Sequence, residues 1–380
     1  MSQLYDKLKS ILRGNLGVMV VSSELWSISG NMTDPFYALY VLELGGGYAM
    51  IGKILGVKAL VQIMPILLGG YLTDKIGRKQ IIYTMTYLLA CVALIRAFAP
   101  DYRFLVIAAV LEALFMGLRQ PSMSSLLSDS TTPENRSMGF ALWRVGPTLT
   151  GVLSPSVFGL IMDRYGLIIA MRWGYMTVFA LGALSAYMRQ KYIKETLDKR
   201  EEVVIETDSV KELFRNFKAT LLSLNRQAFN FIALDFVFTL ALGLADPYFV
   251  TYATDAMHVT GSQWGLVMTL VTLVYSLTIL VVASPSDERG RVRFVQASMV
   301  SWPITYWLFI NSGSYLTLMI TRICVTLAGA VGQPAWTALF TDYCPKEHRG
   351  RYHALLEICW SLLYGGGNYL GGLIYQNMGI

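Results

Sequence analysis

The sequence predicts an all-α, polytopic membrane protein, and three observations carry that prediction: an apolar composition, recurring apolar runs, and basic residues that alternate between the connections joining them. Of the 380 residues, 54% are hydrophobic and 15% charged, with a mean hydropathy of +0.48. So little polar surface cannot cover a soluble globule of this size. At 1.5 Å per residue, about 20 apolar residues cross a hydrocarbon core. Such runs fall at roughly 16–42, 48–71, 80–99, 104–127, 137–162, 167–188, 228–253, 263–284, 294–311, 315–341 and 352–377, about eleven helices.

The connections after the second, fourth, eighth and tenth runs carry Lys75, Arg78, Lys79, Arg136, Arg289, Arg291, Arg293, Lys346, Arg349 and Arg351, whereas the opposite connections hold little beyond Arg103 and Arg164. The positive-inside rule then sets the N-terminus in the cytoplasm. The net charge of +6 is topological rather than a basic face for nucleic acid. Residues 1–14 lack an apolar core with a small-residue cleavage site, so no removable signal is expected and the first run inserts the chain in the cell membrane. Cys91, Cys324, Cys344 and Cys359 lie far apart and read as packing residues; His258, His348 and His353 have no metal-ligand spacing. No metal or cofactor is implied.

Residues 189–227 mix both signs of charge and place Val210, Leu213, Phe214, Phe217 and Leu221 on one helical face, the pattern of a cytoplasmic linker with an interfacial helix. The expected division is a bundle at 1–188, this linker, and a second bundle at 228–380. The bundles are copies. Gln120-Pro121 recurs as Gln333-Pro334, Asp129 as Asp342, Glu134 as Glu347, Arg136 as Arg349, Gly52 as Gly265 and Gly77-Arg78 as Gly290-Arg291, each displaced by 213 residues. Asp34-Pro35 and Asp246-Pro247 are displaced by 212. Both copies start on the same side, which makes them a parallel repeat about an axis along the membrane normal. Gly379 stands where Gly166 precedes the sixth run of the first copy, so a twelfth helix is expected beyond the sequence.

After the second run the chain reads Gly70-Tyr71-Leu72-Thr73-Asp74-Lys75-Ile76-Gly77-Arg78-Lys79, matching GxxxD(R/K)xGR(K/R), with a degraded copy at Asp287-Glu288-Arg289-Gly290-Arg291. Together with the Pro121–Asp129 and Pro334–Asp342 connections, this resembles the major facilitator superfamily over nearly the whole chain. The resemblance implies a major facilitator fold of two six-helix-type bundles, working as a monomer on a small-molecule solute in the lipid bilayer. It also implies a cytoplasmic gate from Gly70, Asp74, Lys75, Gly77, Arg78, Lys79, Asp129, Arg136, Asp287, Gly290, Arg291, Asp342 and Arg349. In that gate Asp74 meets the start of the eleventh run near Gly350 and Arg351, Arg78 pairs with Asp129, and Arg291 with Asp342. Independently of family, Gly77 suits a tight turn, and Asp74 at a helix C-terminus needs a cation or another helix's N-terminus.

Ionisable residues within the runs point to a polar interior, because each is costly in hydrocarbon unless paired or hydrated. Glu24, Ser27, Asn31 and Asp34 form one stripe at helical spacing, and Asp235, Thr239 and Asp246 form its counterpart. Glu24, Asp235 and Glu112 are the proton-coupling candidates. Asn31, Asp34, Lys58, Arg119, Arg144, Asp246, Arg322 and Glu357 are the substrate-cavity candidates. Structural pairing competes with each of these roles, for example Glu24 with Lys58, and Asp34 and Asp246 also suit turns before proline. Gly146-Pro147-Thr148-Leu149-Thr150-Gly151 resembles the family's antiporter motif GPxxGG and tilts the reading toward export. Ala109 occupies the fourth-run position where exporters of the family often carry arginine, which appears instead at the repeat position Arg322.

These features predict a secondary transporter that exchanges protons for a small organic solute by alternating access. Uptake or facilitated diffusion of a metabolite or organic anion, and a non-transporting sensor of the same fold, are the alternatives. An enzyme is not expected, since neither HExxH nor a nucleophile elbow is present.

Overall fold

The computed structural model describes residues 14–131, 142–143, 146–197, 226–343 and 349–378, and all of the regular structure in them is helical. Helix α1 (Asn15–Thr33) passes through a 3-10 turn at Asp34–Phe36 into α2 (Tyr37–Glu43); α3 (Tyr48–Ile76), α4 (Arg78–Ala97), α5 (Tyr102–Asp129), α6 (Ser154–Tyr165) and α7 (Leu167–Tyr192) complete the first half. In the second half α8 (Arg226–Ala245) passes through a 3-10 turn at Asp246–Tyr248 into α9 (Phe249–Met257), followed by α10 (Gly261–Arg289), α11 (Arg291–Ile310), α12 (Tyr315–Tyr343) and α13 (Arg349–Met378). Helix occupies most of the described part of every predicted run, and among the described residues seven spans are long and apolar enough to cross a membrane. The two 3-10 turns are repeat partners, and each is set by its Asp-Pro: the proline fixes φ and has no N–H to continue the helical ladder.

Helix α7 runs to Tyr192, into the range read as linker, while the amphipathic stretch at 210–221 lies outside the described residues. At the Arg78 end of the molecule, Gly77 and Gly290 are repeat-related breaks with φ of 105° and 94°, a region that side-chain-bearing residues rarely adopt. Arg78 forms an ion pair with Asp129 and Arg291 with Asp342, the two repeat-related pairings expected from the sequence.

The halves meet at the opposite end through α3 against α13 and α6 against α10, the same contact made twice by the repeat. A Cβ on Gly52 would lie 2.0 Å from the Asn368 carbonyl oxygen, and one on Gly265 would lie 2.3 Å from that of Pro155. Both pairs are related by the 213-residue displacement. Only glycine lets the backbones come this close in hydrocarbon, where packing rather than the hydrophobic effect joins helices.

Side-chain caps across the halves repeat the symmetry. Asp163 accepts hydrogen bonds from the N–H groups of Gly261 (2.7 Å) and Ser262 (2.9 Å), completing an α10 N-terminus whose third N–H is taken by Thr260. Gln376, its repeat partner, accepts from the N–H of Ala49 (3.1 Å) at the start of α3. Each half thus satisfies orphan donors at a helix N-terminus of the other. Tyr48 adds a 2.7 Å hydrogen bond to Asp255. Far along α3 at the Arg78 end, Gly70 has nothing within 4 Å of where a Cβ would stand. The halves are therefore clamped at the Asp163 end.

Burial pushes the Asp163 carboxyl up, but hydrogen bonds from the Ser262 side chain and from the Ser262 and Gly261 N–H groups outweigh it and hold the group below its ordinary value. A depressed carboxylate contributes its stabilisation above the ordinary carboxylate range and loses it as pH falls through the lowered value. The Asp163 contribution to the clamp is therefore expected to be unchanged from pH 5 to 8 and to weaken only in stronger acid. Asp163→Ala should cost about 1 kcal/mol of clamp, roughly fivefold in the opening equilibrium. The check is cross-linking yield between cysteines placed at Asp163-end positions of α6 and α10; an unchanged yield contradicts the clamp.

Candidate functional site

A cavity of about 340 Å³ lies between the halves just inside the clamp. Asn31, Asp34 and Tyr37 line it from the first half, and Asp246, Phe249 and Arg322 from the second. The 3-10 turns place the two aspartates there, so turn formation and cavity lining are one arrangement rather than alternatives. The polar stripe of α1 also contacts the GPxxGG-like segment: a Cβ on Gly151 would lie 2.5 Å from Asn31 Nδ2, and Asn31 donates to the Gly151 carbonyl at 3.3 Å. Asp246 accepts a hydrogen bond from Tyr306 at 2.8 Å, and the Arg322 guanidinium lies 4.2 Å from the Phe249 ring centroid.

Behind Asp34 stands a charge cluster that the sequence reading paired differently. Lys58 pairs with Glu112 at 3.1 Å, not with Glu24, and Arg96 forms a second ion pair with the same carboxylate. The reason is geometric, because α3, α4 and α5 converge there while Glu24 looks toward Gly146. Among the described residues Glu24 has no ion-pair partner. Arg96 was not a sequence candidate; it sits one residue from the end of α4, where a basic residue reads as a topological anchor. Its guanidinium lies between the rings of Tyr37 (5.5 Å) and Tyr175 (5.7 Å).

Other candidates lie away from this cavity. Asp235 is buried, hydrogen-bonded to Trp336 and Thr239, in an aromatic cluster with Phe231 and Phe340. Arg119 is buried in the first bundle, where it donates to Thr86 at 3.3 Å and covers the Trp26 ring at 5.3 Å. Glu357 is exposed on α13. Arg189, read as part of a solvated linker, is instead 1% exposed and donates to Ser22, Thr86 and Ser23. Its apolar neighbours in sequence end at Met188, so run length alone set the boundary before Arg189, four residues short of the end of α7 at Tyr192. Arg136 and Arg144, and the side chains of Asp74, Asp287 and Arg349, lie outside the described residues, as does the contact expected between Asp74 and the start of α13.

Removing Arg96 would leave Glu112 with Lys58 alone. Arg96→Met should destabilise the protein by about 2–4 kcal/mol, and adding Glu112→Gln should recover part of that loss, because the uncompensated charge disappears with its partner. Thermal unfolding of the two variants in detergent measures this; additive losses would contradict the coupling.

The family model described as the Major Facilitator Superfamily matches residues 25–242 and again 231–380. The multi-drug resistance efflux pump PmrA of Streptococcus pneumoniae is 26% identical over 373 residues, covering 95% of this chain and 87% of that protein. The quinolone resistance protein NorA of Staphylococcus aureus is 20% identical over 347 residues, covering 90% and 83%. Among solved structures, the nucleoside transporter NupG superposes with a TM-score of 0.73 at 14% identity, covering 95% of this chain and 91% of that one. The human organic anion transporter MFSD10 gives 0.66 at 14% identity, covering 97% and 95%. With both repeats matched by the family model and the paired-bundle architecture in place, this chain belongs to the Major Facilitator Superfamily of membrane transporters.

Proposed function

We propose that this transporter exports a small organic solute in exchange for protons by alternating access. The observation that carries the reading is the interfacial cavity, lined by ionisable groups from both halves and sealed at the Asp163 end by repeat-related contacts. Two packings related by a pseudo-two-fold axis are what rocking of one bundle against the other requires. The names of PmrA and NorA, a drug efflux pump and a drug resistance protein, support export. With the basic Arg78 end in the cytoplasm, the conformation described is shut toward the exterior, and the gate at Asp74, Arg78 and Asp129 would close the other side in turn. Arg322 in the cavity wall favours a second reading, in which the solute is an organic anion moving in either direction.

Glu24, on the α1 stripe and without an ion-pair partner among the described residues, is the proton carrier we assign in the first half, with Asp235 its counterpart in the second. Proteoliposomes with an imposed pH gradient and ethidium as probe test the coupling. Gradient-driven accumulation is expected in the wild type and should fall at least about tenfold in Glu24→Gln, with ethidium binding retained. Accumulation indifferent to the gradient would overturn the exchange mechanism.

A further inference from the structure

Arg119 and Arg189 meet inside the first bundle on a single hydroxyl. Arg119 of α5 is 6% exposed and Arg189 of α7 is 1% exposed. An Nη1 atom of each donates to the same Thr86 Oγ1 on α4, at 3.3 Å and 2.9 Å. The two nitrogens are therefore no more than about 6 Å apart.

Every acceptor that these guanidiniums meet among the described residues is a neutral hydroxyl. Thr86 serves both, and Ser22 (2.9 Å) and Ser23 (3.3 Å) on α1 serve Arg189. The hydroxyls have further partners: Thr86 donates its own proton to the Ile82 carbonyl at 2.6 Å, and Ser23 also accepts from Trp143 at 3.2 Å. Of the five N–H groups of Arg119, one makes a hydrogen bond among the described residues, and its guanidinium carbon lies 5.3 Å from the Trp26 ring centroid.

No carboxylate pairs with either arginine among the described residues. Glu112, two turns earlier on α5, is held by Lys58 and Arg96, and Glu24, next to Ser23 in sequence, looks toward Gly146. A guanidinium does not shed its proton, and hydroxyls satisfy its N–H groups without cancelling its charge. Two like charges this close repel in a poorly screened interior, so the pair calls for an added anion. The repeat does not impose the arrangement, since Met299 and Gly332 stand at the positions equivalent to Thr86 and Arg119.

We propose that Arg119 and Arg189 form, beside Thr86, a binding site inside the first bundle for a small inorganic anion of halide size. A monatomic anion can reach both guanidiniums at hydrogen-bond distance, whereas a lipid phosphate would have to draw its acyl chains in among α1, α4, α5 and α7. The assignment stands apart from the exchange reading, because neither arginine lines the cavity between the halves.

The full chain, purified in detergent on sodium gluconate, is titrated with sodium chloride at constant ionic strength while thermal unfolding is followed. The midpoint should rise saturably by at least about 2 °C, as mass action requires of a ligand that binds the folded state. Thr86→Asp places a carboxylate where the two guanidiniums meet, so it should raise the midpoint in gluconate and abolish the response to chloride. Arg119→Met should demand at least about tenfold more chloride for the same response. A wild-type midpoint indifferent to chloride overturns the proposal, and so does an equal rise in Thr86→Asp, which is a general salt effect. Crystals grown in bromide locate the ion whether or not the variants fold. An anomalous peak within about 4 Å of both guanidiniums is expected, and its absence at saturating bromide overturns the site.

Discussion

Two backbone crossings without side chains between them hold the halves together, and the rest of the architecture depends on that contact. Gly52 on Asn368 and Gly265 on Pro155 are one contact generated twice by the repeat. Lipid chains are as apolar as the helices, so association rests on close packing and on hydrogen bonds that hydrocarbon cannot otherwise satisfy. The caps at Asp163 and Gln376 supply such bonds to the first turns of α10 and α3. Because contact is made at a helix crossing and at a helix N-terminus, it can be lost at one end without unravelling either bundle.

The caps are equivalent in place but not in charge. A carboxylate accepting two N–H groups at a helix N-terminus also interacts with the helix dipole, whereas the amide of Gln376 accepts a neutral hydrogen bond. The same divergence recurs in the cavity wall, where Arg96 braces the first half and Arg322 the second. The backbone contacts, where a Cβ has no room, match between the halves, whereas the charged groups reach balance by different routes.

The interior polar groups fall into two kinds. Arg119 and Arg189 are buried within one bundle, and the partly buried Lys58–Glu112–Arg96 cluster joins α3, α4 and α5 of the same bundle. Asn31, Asp34, Asp246 and Arg322 stand between the bundles, where their surroundings change if the halves move. Only the second kind can sense which end of the cavity is open.

Period and repeat made the helical class, the order of the runs and the turn glycines Gly77 and Gly290 legible in the sequence, because these depend on residues adjacent along the chain or on a fixed displacement. The Arg78–Asp129 and Arg291–Asp342 pairs were expected from the family resemblance, and the repeat makes each the image of the other. The partners of Lys58 and Arg96, the burial of Arg189 and the seat of Asp235 in an aromatic cluster were not. Helical spacing tells which residues share a face but not which neighbouring helix that face meets, and an ionisable group's partner is chosen by the helix across from it. The sequence by itself determined the bundle and its symmetry; the packing of α3, α4 and α5, and of α3 on α13, decided which charges are locked inside a half and which face the shared cavity.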